Sequence, residues 1–172
     1  RDALCFYEQD GMKIAVLNYT YGTNGISLPS GMPYAVDMLE ETQVVEDIKR
    51  AEAEADFTVV CPHWGTEYVL KHSARQEETA IWLAESGADM IIGAHPHVIQ
   101  DFQMLETAET NGYKKVPVAY SLGNAVSNMS ARNTQLELMA TVRIVMHGNG
   151  DVEILPLEFT YLWCSRPGGF RD

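Results

Sequence analysis

The chain has 172 residues, with 24 acidic against 12 basic side chains and a formal net charge of −12. That length suits one hydrophobic core and hence one domain, and the charge excludes sequence-independent binding along a phosphate backbone, so no nucleic acid is expected as a partner. No apolar run approaches the roughly 18 residues that span a bilayer, and the three cysteines lack the Cys-x-x-Cys spacing of a thiolate zinc site and imply no disulfide framework.

The sequence begins at Arg1 with no leader-like segment and with what reads as half of a hairpin, which predicts a piece of a longer protein. Apolar runs at residues 4–7 and 12–19 flank Gln9-Asp10-Gly11, a turn signal, and predict a β-hairpin. Its second arm is apolar almost throughout from Lys13 to Asn18, as suits a sheet covered on both faces. Residues 20–33 are rich in Gly, Ser, Asn and Pro and predict a long loop, a class that is often functional or mobile. Val44, Ile48, Ala51 and Ala55 then recur at helical spacing, predicting an amphipathic helix over 40–55.

A buried strand is expected at 57–61, ended by Pro62-His63-Trp64-Gly65. A helix over 74–85 turns Ala80, Leu83 and Ala84 inward and stops at Gly87, suited to a left-handed C-terminal position. A second buried strand is expected at 89–93. Strand, helix and strand in that order make a right-handed crossover, so the two strands should be parallel with their carboxyl ends on one edge. A polar loop is expected around 106–115, followed by a strand at 116–120 whose Pro117 suggests an edge position or the start of the strand. The last third reads as a hairpin, 136–146 with 152–157, joined by His147-Gly148-Asn149-Gly150-Asp151. Residues 1–165 are expected to belong to one domain, with 166–172 as a loose tail.

The crossover geometry carries the chemistry, because His63 follows the first buried strand and His95 and His97 follow the second. Neutral imidazole is the commonest nitrogen ligand of first-row metals, and Pro96 between the later pair limits backbone freedom. His63, His95 and His97 are therefore candidate metal ligands; the plain alternative is loop histidines bonded to solvent or carbonyls. Glu67 and Asp101 stand close in sequence as further candidate ligands, with Glu67 favoured as an acceptor holding a ring N–H, against solvated carboxylates as the default. Asn124 offers an amide to substrate or ion, or simply caps its loop. Cys61 reads as a small buried hydrophobe rather than a reactive thiol. Ser121 lacks the Gly-x-Ser-x-Gly setting of a nucleophile. His72 and His147 have polar surroundings and are expected to be solvated, and Trp64 and Tyr68 either line a cleft or pack beside the sheet.

The blocks Cys61-Pro62-His63-Trp64-Gly65-Thr66-Glu67-Tyr68, Gly87-Ala88-Asp89-Met90-Ile91-Ile92-Gly93-Ala94-His95-Pro96-His97-Val98-Ile99-Gln100 and Tyr120-Ser121-Leu122-Gly123-Asn124 together resemble bacterial capsule-synthesis proteins of the CapA type, associated with poly-γ-glutamate biosynthesis. The resemblance implies an α/β fold of the calcineurin-like metallophosphoesterase type, with mixed sheets flanked by helices, of which this chain is the C-terminal part. It implies divalent metal ions (zinc, manganese or iron) held in part by His63, His95 and His97, with Glu67 and Asn124 supporting those ligands or touching substrate. The family's upstream ligands, an Asp after the first strand and an Asn-His pair with a later Asp, have no counterpart in this sequence, and Ala125 stands where a Phe is common. The chain alone is accordingly expected to be inactive, and to self-associate through sheet surface left uncovered.

The resemblance further implies a cell-envelope or extracytoplasmic location and an anionic polymer or small phosphoester as partner. Two functions stay open. One is metal-dependent hydrolysis or processing of such a substrate; the other is a non-catalytic polymer-binding or assembly component of a capsule export system. An unrelated α/β binding module with incidental histidines is a third.

Overall fold

The computed structural model describes residues 4–109 and 112–165, so the expected tail at 166–172 lies outside the described residues. Strands β1 (Cys5–Gln9) and β2 (Met12–Thr20) form the expected antiparallel hairpin. Helix α1 (Glu41–Glu54) leads to β3 (Phe57–His63), and helix α2 (Ala74–Glu85) leads to β4 (Met90–Ile92). Strands β5 (Phe102–Glu109) and β6 (Gly112–Ala119) complete a six-stranded mixed sheet in the order β1-β2-β3-β4-β6-β5. β2, β3, β4 and β6 run parallel, as the crossover rule requires.

Alternation along the strands decides which face is covered. Ala15, Leu17 and Tyr19 of β2 and Val60 of β3 are fully buried, in one cluster with Val44, Ile48 and Ala51 of α1 and Ala80, Leu83 and Ala84 of α2. The intervening residues face away from the helices: Val16, Val59, Cys61 and Ile92 are only partly covered, and Asn18 is exposed. Burial pushes the Cys61 thiol up, in keeping with a small hydrophobe rather than a thiolate.

Helix α2 is closed at both ends. Ser73 and Gln76 form a capping box at its start. At its end the N–H groups of Gly87 and Ala88 reach back to the carbonyls of Ala84 and Leu83, with Gly87 at φ 126°, where a side chain would be strained.

Two expectations fail here. The polar loop around 106–115 is a strand pair, because β5 and β6 are the two arms of an antiparallel hairpin. Pro117 lies neither on an edge nor at a strand start, since β6 sits between β4 and β5. The Tyr120 N–H goes to the Asp101 carbonyl on the β5 side, so alternation turns the nitrogen of Pro117 toward β4. Pairing with β4 begins only at Ile91 opposite Val118, which leaves the missing N–H without a lost ladder bond.

The C-terminal third folds as two ribbons where one hairpin was expected. β8 (Ile144–Met146) pairs with β9 (Val152–Ile154) across the residue 147–151 turn, and β7 (Leu136–Thr141) pairs with β10 (Glu158–Trp163). The β7 ribbon joins the main body where Gly123 bridges Glu137 and the Leu138 N–H reaches the Leu122 carbonyl at 2.7 Å.

Candidate metal centre

Parallel pairing of β3 with β4 continues past the formal strand ends as a bridge between His63 and Ala94, with Ala94 N–H on the Pro62 carbonyl and Trp64 N–H on the Ala94 carbonyl. The neighbouring side chains are thereby forced together. The His63 and His95 ring centroids lie 4.5 Å apart and those of His95 and His97 6.0 Å apart. All three sequence-predicted imidazoles thus meet on one rim of the sheet.

The backbone at this rim is strained. His95 has φ 102° and His97 φ 59°, values that non-glycine residues rarely adopt, on either side of Pro96. Such conformations cost about 1–3 kcal/mol each and cluster at functional sites. Tyr68, also at positive φ (65°), donates its N–H to the Pro96 carbonyl at 2.8 Å and ties the loop after β3 to the His-Pro-His turn.

His97 is held by Asn124, whose Oδ1 lies 2.8 Å from Nδ1 and whose Nδ2 donates to the His97 carbonyl and to that of Thr134. An Asn oxygen only accepts, so Nδ1 of His97 carries the proton and Nε2 presents a lone pair. That Nε2 lies 4.0 Å from Oε1 of Glu67. Glu67 therefore stands on the open face of the ring and Asn124 behind it. Glu67, His95 and His97 present ligand atoms all within 4.8 Å of one another, and His63 adjoins them through His95. Two imidazoles and a carboxylate suit a divalent first-row ion, whose bonds of about 2.0–2.2 Å would draw these atoms together by on the order of an ångström.

The other candidates fall away from the rim. Asp101 is turned to His72, accepting from its backbone N–H at 3.2 Å and lying 2.7 Å from its Nδ1. Burial pushes the Asp101 carboxyl up, but these hydrogen bonds outweigh it and leave the group below the usual range. His72 is not solvated as expected. Its ring stacks on Tyr120 at 3.9 Å and 13°, and Glu77 lies 3.8 Å from its Nε2. The Tyr120 hydroxyl, pushed up to about 12 by burial and by the charges of Glu77 and Asp101, stays protonated and donates to Gln103. His147 is exposed beside Glu153. Ser121 is buried and its hydroxyl accepts from the Gly123 N–H. Trp64 belongs to the core, and its indole N–H reaches the Tyr120 carbonyl at 2.9 Å, whereas Tyr68 is exposed over His97.

One neighbour escaped the sequence reading. Tyr21, from the loop after β2, lies parallel to the His63 ring and sets its hydroxyl 3.2 Å from Nε2 of His95. Its backbone N–H is pinned on the His63 carbonyl. Only the length of its loop hinted at a role.

The electrostatics disfavour the protonated form of His63 and His95. Burial pushes His63 down, with the neighbouring His95 and His97 adding to the effect. Burial likewise lowers His95, with Glu67 opposing and His97 reinforcing. The unfolded chain therefore binds protons at higher pH than the folded one. Stability of the chelator-treated protein should fall as pH drops through about 6.5, the unfolded histidine value, and level off below the folded values. Urea midpoints at about pH 7.5 and 5.5 check this. A His95→Gln variant should show a shallower slope, and midpoints that hold steady in the parent would refute the assignment.

A mixed sheet with helices packed on it, and imidazoles at the carboxyl ends of its parallel strands, is an α/β architecture. Similar solved structures include the sulfate thiohydrolase SoxB of Thermus thermophilus, with TM-score 0.50 and 18% identity over 94% of this chain and 24% of that one. The NAD nucleotidase NadN of Haemophilus influenzae aligns with TM-score 0.51 and 12% identity over 94% of this chain and 30% of that one. At such identities the likeness is one of fold. Residues 1–129 match the family described as bacterial capsule synthesis protein PGA_cap, and the chain belongs to that family. It is 30% identical over 161 residues to the capsule biosynthesis protein CapA of Bacillus anthracis, and 28% identical over 156 residues to the PGA biosynthesis protein CapA of Bacillus subtilis. Each match covers 90% of this chain but only 37% and 39% of those relatives, so the chain spans less than two fifths of their length.

Proposed function

We propose that this chain carries part of the metal-dependent site of a capsule-biosynthesis protein that hydrolyses or otherwise processes an acidic polymer in the cell envelope. The observation that carries this reading is the face shared by Glu67, His95 and His97, built on strained backbone and oriented by Asn124. A divalent cation held there would supply Lewis-acid polarisation of a substrate oxygen and a lowered pKa for water. The protein's own residues do the rest. Asn124 fixes the tautomer of His97, so the ring would meet a bound cation without reorganising. Tyr21 offers a hydroxyl beside His95, at a rim where substrate must approach, and Tyr68 walls the opposite ring.

The test is metal analysis of the full-length protein together with turnover of a γ-linked glutamate polymer and of a generic phosphodiester. Near-stoichiometric transition metal is expected, with both metal and turnover lost in the His95→Ala/His97→Ala double variant. Retention of both would defeat the proposal. Polymer binding that survives the double variant without any turnover in the parent would make the chain a non-catalytic binding component instead.

A further inference from the structure

Beside the imidazole rim lies a cleft of about 560 Å3 between the N-terminal ends of α1 and α2. Its volume falls in the range of about 300–1,000 Å3 typical of small-ligand sites. Tyr21 is its common wall with the metal centre, since the same side chain lines the cleft and touches His95. Leu39 and Trp82 supply apolar surface, and Thr66 and Thr79 supply hydroxyls. Arg75 is the cation in the lining, which also holds Glu40 and Glu41, and it has no carboxylate partner among the described residues.

We infer that this cleft is the substrate subsite of the neighbouring centre, and that it takes one carboxylate-bearing unit of an acidic chain with its carboxylate on Arg75. The inference rests on the acidic-polymer reading above and adds the residues that recognise the unit. A guanidinium matches a carboxylate in a bidentate fork. A phosphate dianion fits less well, because its second charge would meet Glu40 and Glu41 with no further cation in the lining. The methylenes of a glutamyl unit suit Leu39 and Trp82, and its amide suits the two threonine hydroxyls. A chain held this way leads past Tyr21, so the next linkage lies toward Glu67, His95 and His97.

The test titrates a γ-linked glutamate tetrapeptide into metal-loaded full-length protein by calorimetry, with phenyl phosphate as competitor and metal content measured in parallel. Arg75→Gln should weaken the peptide by about 10- to 100-fold, the loss expected for a charge-assisted hydrogen-bonded pair. Arg75→Lys should recover part of the affinity, and Glu41→Gln should tighten binding by relieving like-charge repulsion. All three should keep the parent metal content. Unchanged peptide affinity in Arg75→Gln would overturn the subsite while leaving the metal centre standing, as would phenyl phosphate outcompeting the peptide in an Arg75-dependent way. Failure of the metal-loaded parent to bind the peptide at all would overturn the acidic-polymer reading with it.

Discussion

Replacing His97 with alanine is expected to lower the zinc affinity of the full-length protein by more than about 100-fold, and Asn124→Ala by about 10- to 100-fold, the range for partners that orient a ligand. The ranking follows from geometry. Nε2 of His97 faces the Glu67 carboxylate at 4.0 Å, so alanine removes a donor atom outright. Asn124 touches the opposite nitrogen, and its loss leaves the donor in place but free to change tautomer and swing. Asn124→Asp keeps the acceptor on Nδ1 while losing the donors to the His97 and Thr134 carbonyls, so metal affinity should stay near the parent value as the urea midpoint drops. His72→Ala is the control, because that imidazole is spent on Asp101 and the Tyr120 ring. Competition with a chromophoric chelator measures all four. Equal affinities in His97→Ala and His72→Ala would remove His97 from the coordination sphere.

How much of this centre could be read before any coordinates follows from what sets each feature. Convergence of His63 with His95 and His97 depends on chain direction and crossover handedness, which hydrophobic patterning reveals. The face they present does not: His95 and His97 sit at positive φ on either side of Pro96, whose carbonyl accepts from the Tyr68 N–H, and no residue preference encodes that conformation. Tyr21 and the His72–Asp101 pair join residues far apart in sequence whose meeting depends on loop paths. The missed strand β5 has a different cause. It lies at the sheet edge with Met104 and Glu106 exposed and Leu105 buried, so its apolar signal is thin. The Asn111-Gly112 pair within that stretch is a hairpin signal that its polar composition masks. Pro117 misled for a related reason, since a proline is tolerated inside a sheet wherever the neighbouring strand has not yet begun to pair.

Gly93→Ala is expected to cost about 3–5 kcal/mol, the sum of overpacking against backbone and a hydrogen bond broken in the interior. Gly93 follows β4 beneath the indole of Trp64, which crosses over it to donate to the Tyr120 carbonyl next to β6. An added Cβ would stand 2.1 Å from that carbonyl oxygen and 2.3 Å from the indole nitrogen. The oxygen belongs to backbone held in the sheet, because Gly93 N–H itself bonds the preceding carbonyl of Ala119 at 2.7 Å. Strain must then be relieved by expelling Trp64, a core residue adjacent to His63, and the loss would use a large share of a typical stability of about 5–15 kcal/mol. Trp64→Phe deletes the same hydrogen bond without the clash and should cost only about 1–3 kcal/mol. Urea unfolding separates the two, and because the displaced indole carries the chain into His63, Gly93→Ala should also weaken zinc binding at temperatures where it remains folded. Equal midpoints for the two variants would mean that the sheet opens over Gly93 without strain, and the close approach of β4 and β6 could not then be what fixes the spacing of the imidazoles.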